Sequence, residues 1–279
     1  MKNKLSKIAG VTLIEILIGI VISVVMMAAM FTSYNVVNNS YSQVTDRAKI
    51  SSQGRDVIGM IMRDIRNAGY KYYGDNVKTN NQHAPIIITK SSNFSSDCDK
   101  IDIVYGDVDY RKNQTPKYIY QRYKITYHCE KSKLPNKNAL PLPGGKLPPI
   151  DAFAIYKTKV IWDKTASNWK NPDTDGVDAT YKKQLIADYI DDLVFIPIDE
   201  EGKIINPPPT PTNATKNKLY KIKTIDIALT VRSTKNFFRN IKARFKETLN
   251  DPTRKKVKTD RYLRESIVVT AHARNLGMQ

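Results

Sequence analysis

The hydrophobic pattern divides the chain into an apolar beginning and a mixed, more polar remainder. An apolar run extends from Ile8 to about Phe31, and Glu15 is the single charged residue within it. A run of about 20 apolar residues is long enough to cross a bilayer as a helix. Because three lysines precede this run, the positive-inside rule places the N-terminus in the cytoplasm and the rest of the chain on the other side. The pattern predicts a transmembrane segment over residues 11–31.

The helical period continues beyond the apolar run. No proline occurs between Val11 and Ala68, and apolar residues recur at spacings of three, four and seven from Val36 to Ile65. This spacing is typical of an amphipathic helix with one buried stripe. The pattern predicts one helix over residues 11–68, about 87 Å long at 1.5 Å per residue, with Gly69 as its C-cap. Three glycines inside it mark expected positions of bending or close packing: Gly19, Gly54 and Gly59.

After Cys98 the period changes from helical spacing to strict alternation. Ile101–Tyr105 and Tyr118–Cys129 alternate, which predicts a hairpin that turns within Gly106–Pro116. Three later segments are also predicted to be extended: Leu185–Ile198, Ile222–Arg232 and Leu263–Arg274. The pattern leaves 152–162 undecided, and it favours an amphipathic helix over 236–250. A long helix followed by strands predicts the α+β class. The expected organisation is a leader (1–10), a long helix (11–68) whose amphipathic half packs on a mainly antiparallel sheet, and a β-rich C-terminal domain (69–279).

Two cysteines, Cys98 and Cys129, are the only ones in the chain, and both follow the predicted membrane segment. An exported domain with two cysteines favours one disulfide. In the predicted hairpin both residues lie at its open end, so that a bond between them is geometrically reasonable. Closing a loop of about 30 residues would stabilise the domain by about 3–4 kcal/mol in the chain-entropy model.

The chain is strongly basic, with a formal net charge of +18. Such a charge favours polyanionic partners, although a composition rich in lysine and asparagine produces the same value without any function. The basic residues are densest in 235–264, where candidate contacts to a polyanion such as nucleic acid are Arg254, Lys255, Lys256 and Lys258. The alternative for these four residues is a solvated loop.

An acidic stretch carries oxygen ligands at alternate positions: Asn171, Asp173, Asp175 and Asp178. These residues fit a short calcium loop, but Lys182 occupies the position where an EF-hand needs a bidentate carboxylate. The alternative is a polar turn. The three histidines show no metal-ligand spacing, and the chain has no nucleophile elbow or phosphate loop. The sequence therefore predicts a protein that is not an enzyme and that holds no cofactor other than calcium at this loop.

Glu15 is the most informative residue of the apolar run. A carboxylate in a membrane segment costs about 2.5–3.5 kcal/mol, so such a residue is a functional candidate. A secretory signal peptide would have a shorter apolar region and a small-residue cleavage site, and a plain signal anchor would not account for the glutamate. The third interpretation rests on the motif Gly10-Val11-Thr12-Leu13-Ile14-Glu15.

That motif resembles the signature of prepilins of the type IV pilin family, which usually have phenylalanine where this chain has Val11. The resemblance implies that a prepilin peptidase cuts between Gly10 and Val11 and that Val11 is then N-methylated. It also implies that Glu15 pairs with the N-terminal amine of a neighbouring subunit and so sets the register between subunits. A glutamate that snorkels or stays protonated is the structural alternative.

Three C-terminal segments extend the resemblance: Leu185–Phe195, Thr224–Ser233 and Tyr262–Asn275. In this order they are similar to PilW-type minor pilins and to J-type minor pseudopilins of type II secretion. The former implies a subunit of an inner-membrane priming complex that initiates pilus assembly, with a periplasmic domain and a final place in the filament or at its tip. The implied partners are other minor pilins, the major pilin and the peptidase. Two alternatives stay open: a J-type pseudopilin, and a tip module that binds DNA or surfaces.

Overall fold

The computed structural model describes residues 10–70, 83–91, 98–110, 112–113, 115–137, 139–170, 172, 180–206, 208–210, 212, 216–238, 240–245 and 257–275. The chain forms two compact units, Met1–Ala48 and Lys49–Gln279. Helix α1, Leu13–Asn67, begins in the first unit and ends in the second. It has 55 residues, which corresponds to about 82 Å.

The second unit is built around an antiparallel sheet. Its strands are β1 (Ile86–Thr89), β2 (Lys100–Tyr110), β3 (Tyr118–Lys131), β4 (Phe153–Asp163), β5 (Asn168–Trp169), β6 (Tyr181–Ile198), β7 (Thr224–Arg232) and β10 (Arg264–His272). A short helix, α2 (Lys216–Tyr220), lies between β6 and β7, and β8 (Lys242–Phe245) pairs with β9 (Val257–Asp260) as a separate ribbon. The strand order in the main sheet is β1-β2-β3-β4-β6-β7-β10, with β5 paired to β4.

The predicted α+β class is confirmed, because the C-terminal part of α1 packs on one face of this sheet. The stripe of α1 that contributes to the core consists of Ile50, Val57, Ile58, Ile61 and Ile65. The facing side chains of the sheet include Ile103, Ile125, Tyr127, Ile155, Ile190, Leu229 and Val231. Burial of these apolar side chains is the main stabilising contribution to a unit of this kind. We call this face of the sheet the helix face and the opposite one the outer face.

Gly54 is the position of close packing within α1. A Cβ atom built on it would lie 2.5 Å from Cδ1 of Ile267 and 3.4 Å from Cγ2 of Val231. Glycine therefore lets the helix backbone approach β7 and β10 at this point. Gly19 and Gly59 were expected to mark bending or close packing; among the described residues a Cβ at either would meet no atom within 4 Å, so neither is a position of close packing.

The end of α1 is fastened by backbone and side-chain hydrogen bonds. Gly69 has a φ of 72°, which is the left-handed conformation of a C-cap glycine. Its N–H donates to the carbonyl of Val104 in β2 at 2.9 Å. Asn275, which follows β10, donates through Nδ2 to the carbonyl of Arg66 at 3.0 Å. The closing segment of the chain thus satisfies a carbonyl that the helix itself leaves without a partner.

A buried ion pair crosses the interface between α1 and the sheet. Oδ2 of Asp64 accepts a hydrogen bond from the Tyr127 hydroxyl at 2.6 Å and lies 2.7 Å from Nζ of Lys157. The side chains of Asp64 and Lys157 are 7% and 9% exposed. Burial and the neighbouring Asp64 carboxylate raise the pKa of Tyr127, so its hydroxyl stays protonated and can donate.

One secondary-structure prediction is wrong. Residues 236–250 were expected to form an amphipathic helix, but 242–245 form strand β8, which pairs in antiparallel register with β9. The backbone N–H groups of Phe237 and Phe238 both donate to the carbonyl of Arg261, at 2.8 and 2.9 Å. The apolar spacing was compatible with a helix. Instead, the backbone hydrogen bonds of this segment are made with a second strand some 15 residues later, and the two strands form a ribbon.

Candidate functional site

The N-terminus of α1 is capped by reciprocal hydrogen bonds between Thr12 and Glu15. Oε2 of Glu15 accepts hydrogen bonds from the backbone N–H of Thr12 at 2.8 Å and from its hydroxyl at 2.9 Å. The N–H of Glu15 donates to Oγ1 of Thr12 at 3.4 Å. This is the capping box, in which a threonine at the N-cap and a glutamate three residues later satisfy each other's backbone donors. The Thr-x-x-Glu spacing in the sequence is the signal for this box, which the expectations for Glu15 did not include.

The carboxylate of Glu15 therefore has local partners even when no neighbouring subunit is present. It lies in the first turn of a helix, where the macrodipole favours a negative charge. Its side chain is nevertheless exposed within the chain. Glu15 is thus held in position and remains accessible to a cation from another molecule.

The other polar side chains of the apolar segment also bond internally. Ser23 Oγ donates to the carbonyl of Gly19 at 2.7 Å, and Thr32 Oγ1 donates to the carbonyl of Ala29 at 2.8 Å. Together with Thr12 and Glu15, these are all the hydroxyl and carboxyl side chains between Val11 and Thr32. In hydrocarbon an unsatisfied polar group costs several kcal/mol, so internal bonding is what an apolar environment requires.

The apolar side chains of this segment are exposed in the described part of the chain. Those of the large apolar residues between Val11 and Phe31 are between 50% and 81% exposed. By length and composition α1 can cross a membrane. So large an exposed apolar surface indicates a membrane or other protein chains as its environment.

The predicted cleavage position precedes this helix directly. Gly10 and Val11 are exposed and lie outside the helix, which begins at Leu13. Among the described residues, a Cβ on Gly10 would meet no atom within 4 Å. The bond between Gly10 and Val11 is therefore accessible to a peptidase in this conformation.

Cys98 and Cys129 form a disulfide, with Cα atoms 5.8 Å apart, as the predicted hairpin suggested. Cys129 belongs to β3, and Cys98 lies just before β2 and bridges to Leu193 of β6. The bond thus closes the open end of the β2–β3 hairpin beside the middle of the sheet.

For the remaining predicted site residues, the structure describes no side-chain positions. The calcium candidates Asn171, Asp173, Asp175 and Asp178 lie outside the described residues, as do Arg254, Lys255 and Lys256. Lys258 belongs to β9, where its backbone pairs with Arg244. Within the described part of the chain no three His, Cys, Asp or Glu side chains are grouped as metal ligands.

No protein-family profile and no curated protein matches the sequence. Among solved structures, the chain is similar to a type IV-like pilin from Thermus thermophilus, with 10% sequence identity and a TM-score of 0.43. The matched region covers 82% of this chain and 98% of that chain. At this identity and TM-score the likeness assigns neither a family nor a function.

Proposed function

We propose that this chain is a minor pilin of a type IV pilus, of the PilW kind. It is made as a prepilin in the inner membrane, cut between Gly10 and Val11, and methylated on Val11. It then joins other minor pilins in a complex that primes assembly with the major pilin, and it ends in the filament or at its tip. Its β-rich domain lies in the periplasm.

One observation carries this proposal. In the exposed apolar segment from Val11 to Thr32, each hydroxyl and carboxyl side chain is bonded internally, and one carboxylate, Glu15, lies at the beginning of the helix. A plain anchor needs the apolar surface, and an uncharged glutamine at this position could complete the same capping box without the cost of about 2.5–3.5 kcal/mol for inserting a carboxylate. In a filament the carboxylate would offset this cost by pairing with the amine of the next subunit's Val11.

Two variants separate the pairing of Glu15 from its capping role. Glu15→Gln removes the charge, but its amide oxygen still accepts from the Thr12 N–H, as in a Gln capping box. Thr12→Ala removes the cap and keeps the charge, at a cost of about 0.5–2 kcal/mol in helix stability. We expect Glu15→Gln to lower incorporation into sheared filaments by about two orders of magnitude, because the amine of the neighbour is left unpaired in an apolar core.

The measurement is the ratio of the protein in sheared filaments to that in membranes, by immunoblot against each variant's total expression. Thr12→Ala should reduce this ratio only a few-fold. If Glu15→Gln enters filaments as well as the wild type does, the carboxylate does not set the register, and the proposed assembly role is wrong.

A further inference from the structure

The outer face of the sheet carries an aromatic and basic row along β3. Because side chains alternate along a strand and Ile125 and Tyr127 lie on the helix face, the outer face receives Tyr118, Tyr120, Arg122 and Lys124. The register with β2 places Val108 opposite Tyr120 and Tyr110 opposite Tyr118. The row therefore ends in a group of tyrosines beside the turn of the hairpin.

At this end of the hairpin the rings are accessible. Tyr118 is 65% exposed and Tyr110 is 54% exposed. Their ring centroids are 5.2 Å apart with an interplanar angle of 48°. Nζ of Lys164, in the turn between β4 and β5, lies 5.6 Å from the ring centroid of Tyr120. We call Val108, Tyr110, Tyr118, Tyr120 and Lys164 the hairpin platform.

Lysines flank the platform, and two carboxylates lie near it. One of them, Asp163, precedes Lys164, and its Oδ1 accepts from the backbone N–H groups of Thr165 and Ala166. Lys112 and Lys117, in the connection between β2 and β3, are exposed beside it. Asp107 precedes Val108 and so occupies a position on the helix face, opposite Gln121. None of the platform residues is acidic, and the whole chain carries a net charge of +18. The platform thus combines flat apolar rings with cations, the two features that a chain of bases and phosphates complements.

We propose that the hairpin platform binds single-stranded nucleic acid, with bases stacked on Tyr118 and Tyr110 and phosphates near Lys164, Lys112 and Lys117. A duplex offers no unstacked base to an aromatic side chain, so the platform discriminates against it. A cross-strand tyrosine pair is enough to stabilise a hairpin, and that role does not require the cation of Lys164 over the neighbouring Tyr120 ring. The binding lies beyond the proposed pilus role and does not depend on it.

The test uses full-length protein in a neutral detergent and a fluorescein-labelled oligothymidylate of about 20 nucleotides, followed by anisotropy at low and moderate salt. Tyr118→Leu keeps an apolar side chain and removes the ring, and we expect it to weaken binding by about tenfold, as for loss of one stacked base. Tyr118→Phe keeps the ring and should bind as the wild type does. Tryptophan fluorescence and circular dichroism confirm that each variant is folded.

Charge is tested by a matched pair. Lys164→Glu should weaken binding and flatten the dependence of log K on log salt, because one phosphate contact is lost. Lys221→Glu makes the same change at an exposed lysine after α2 and should have a smaller effect. Equal effects of the two glutamates, with no effect of Tyr118→Leu, would mean non-specific attraction and would overturn the proposal. So would equal affinity for a duplex of the same length, or no binding to the oligonucleotide.

Discussion

Replacing Asp64 with alanine is expected to lower the free energy of unfolding of the β-rich unit by about 3–5 kcal/mol, the usual cost of removing one partner from a buried ion pair. The change leaves the ammonium of Lys157, whose side chain is 9% exposed, without the carboxylate 2.7 Å away. It also removes the acceptor of the Tyr127 hydroxyl. Urea unfolding followed by tryptophan fluorescence measures the effect, because both tryptophans, Trp162 and Trp169, lie in β4 and β5.

Two further variants separate the charge from the hydrogen bond. Tyr127→Phe removes one hydrogen bond to a charged acceptor and should cost about 1.5–3 kcal/mol. The double variant Asp64→Leu, Lys157→Met replaces the pair with apolar side chains and should be more stable than Asp64→Ala, because no buried charge is left unpaired. A double variant that is less stable than Asp64→Ala would show that the pair stabilises the interface on balance.

The second large effect is expected at Arg264, the first residue of β10. Its Nε donates to Oδ2 of Asp191 in β6, and its Nη1 and Nη2 contact Oδ1 and Oδ2 of Asp260 in β9 at 2.8 and 2.5 Å. The side chains of Arg264 and Asp191 are 9% and 3% exposed. One guanidinium therefore connects the main sheet to the β8–β9 ribbon through a buried carboxylate.

Arg264→Met should lower the free energy of unfolding by about 3–5 kcal/mol, because it removes the guanidinium from a buried ion pair with Asp191. Arg264→Lys keeps the charge but lacks the planar fork that reaches both carboxylates, so part of the loss should remain. Arg274→Met, an exposed control in the same closing segment, should change stability by less than about 0.5 kcal/mol. If Arg264→Met matches this control in urea unfolding, the contacts of Arg264 contribute nothing measurable.

The contacts of Arg264 also make the stability of the folded state depend on pH, with a loss of stability as the pH falls. Burial raises the pKa of Asp260, but hydrogen bonds from Arg264 and the N–H of Tyr262 outweigh it, and the net pKa is lowered. A carboxylate with a lowered pKa in the folded state stabilises fully above its unfolded pKa of about 3.9 and loses this contribution as the pH falls through the folded value. Arg264→Met should therefore show a smaller loss of stability below about pH 4 than the wild type does.

The elements that could be predicted from the sequence are those whose signal is local. The long helix, its C-cap Gly69 and the β2–β3 hairpin follow from periodicity and turn chemistry within a few residues. The cysteine pair follows from that hairpin. Strand β8 could not be predicted in this way, because 242–245 are extended only through pairing with 257–260.

The partners of the buried charged residues could not be predicted either, because they are distant in sequence. Asp64 interrupts the apolar stripe of α1 between Ile61 and Ile65, and nothing near it in sequence indicates that Lys157, some 90 residues later, supplies the counter-charge. Arg264 likewise pairs with Asp191 in a strand distant in sequence. The capping box of Thr12 and Glu15 differs from these buried pairs, because the Thr-x-x-Glu motif that predicts it lies within four consecutive residues. Because a carboxylate in a membrane is costly, Glu15 was expected to pair with a neighbouring subunit, and its partner three residues earlier, Thr12, was missed.

The central claim is that Gly10 ends a removable leader and that Glu15 belongs to the mature N-terminus. Intact mass spectrometry of the membrane-extracted protein, from cells with and without the prepilin peptidase, tests it most directly. With the peptidase, we expect a chain that begins at Val11 and carries one added methyl group; without it, the chain should keep residues 1–10. A full-length chain in both strains would mean that Gly10 ends no leader and that Glu15 belongs to an ordinary membrane anchor.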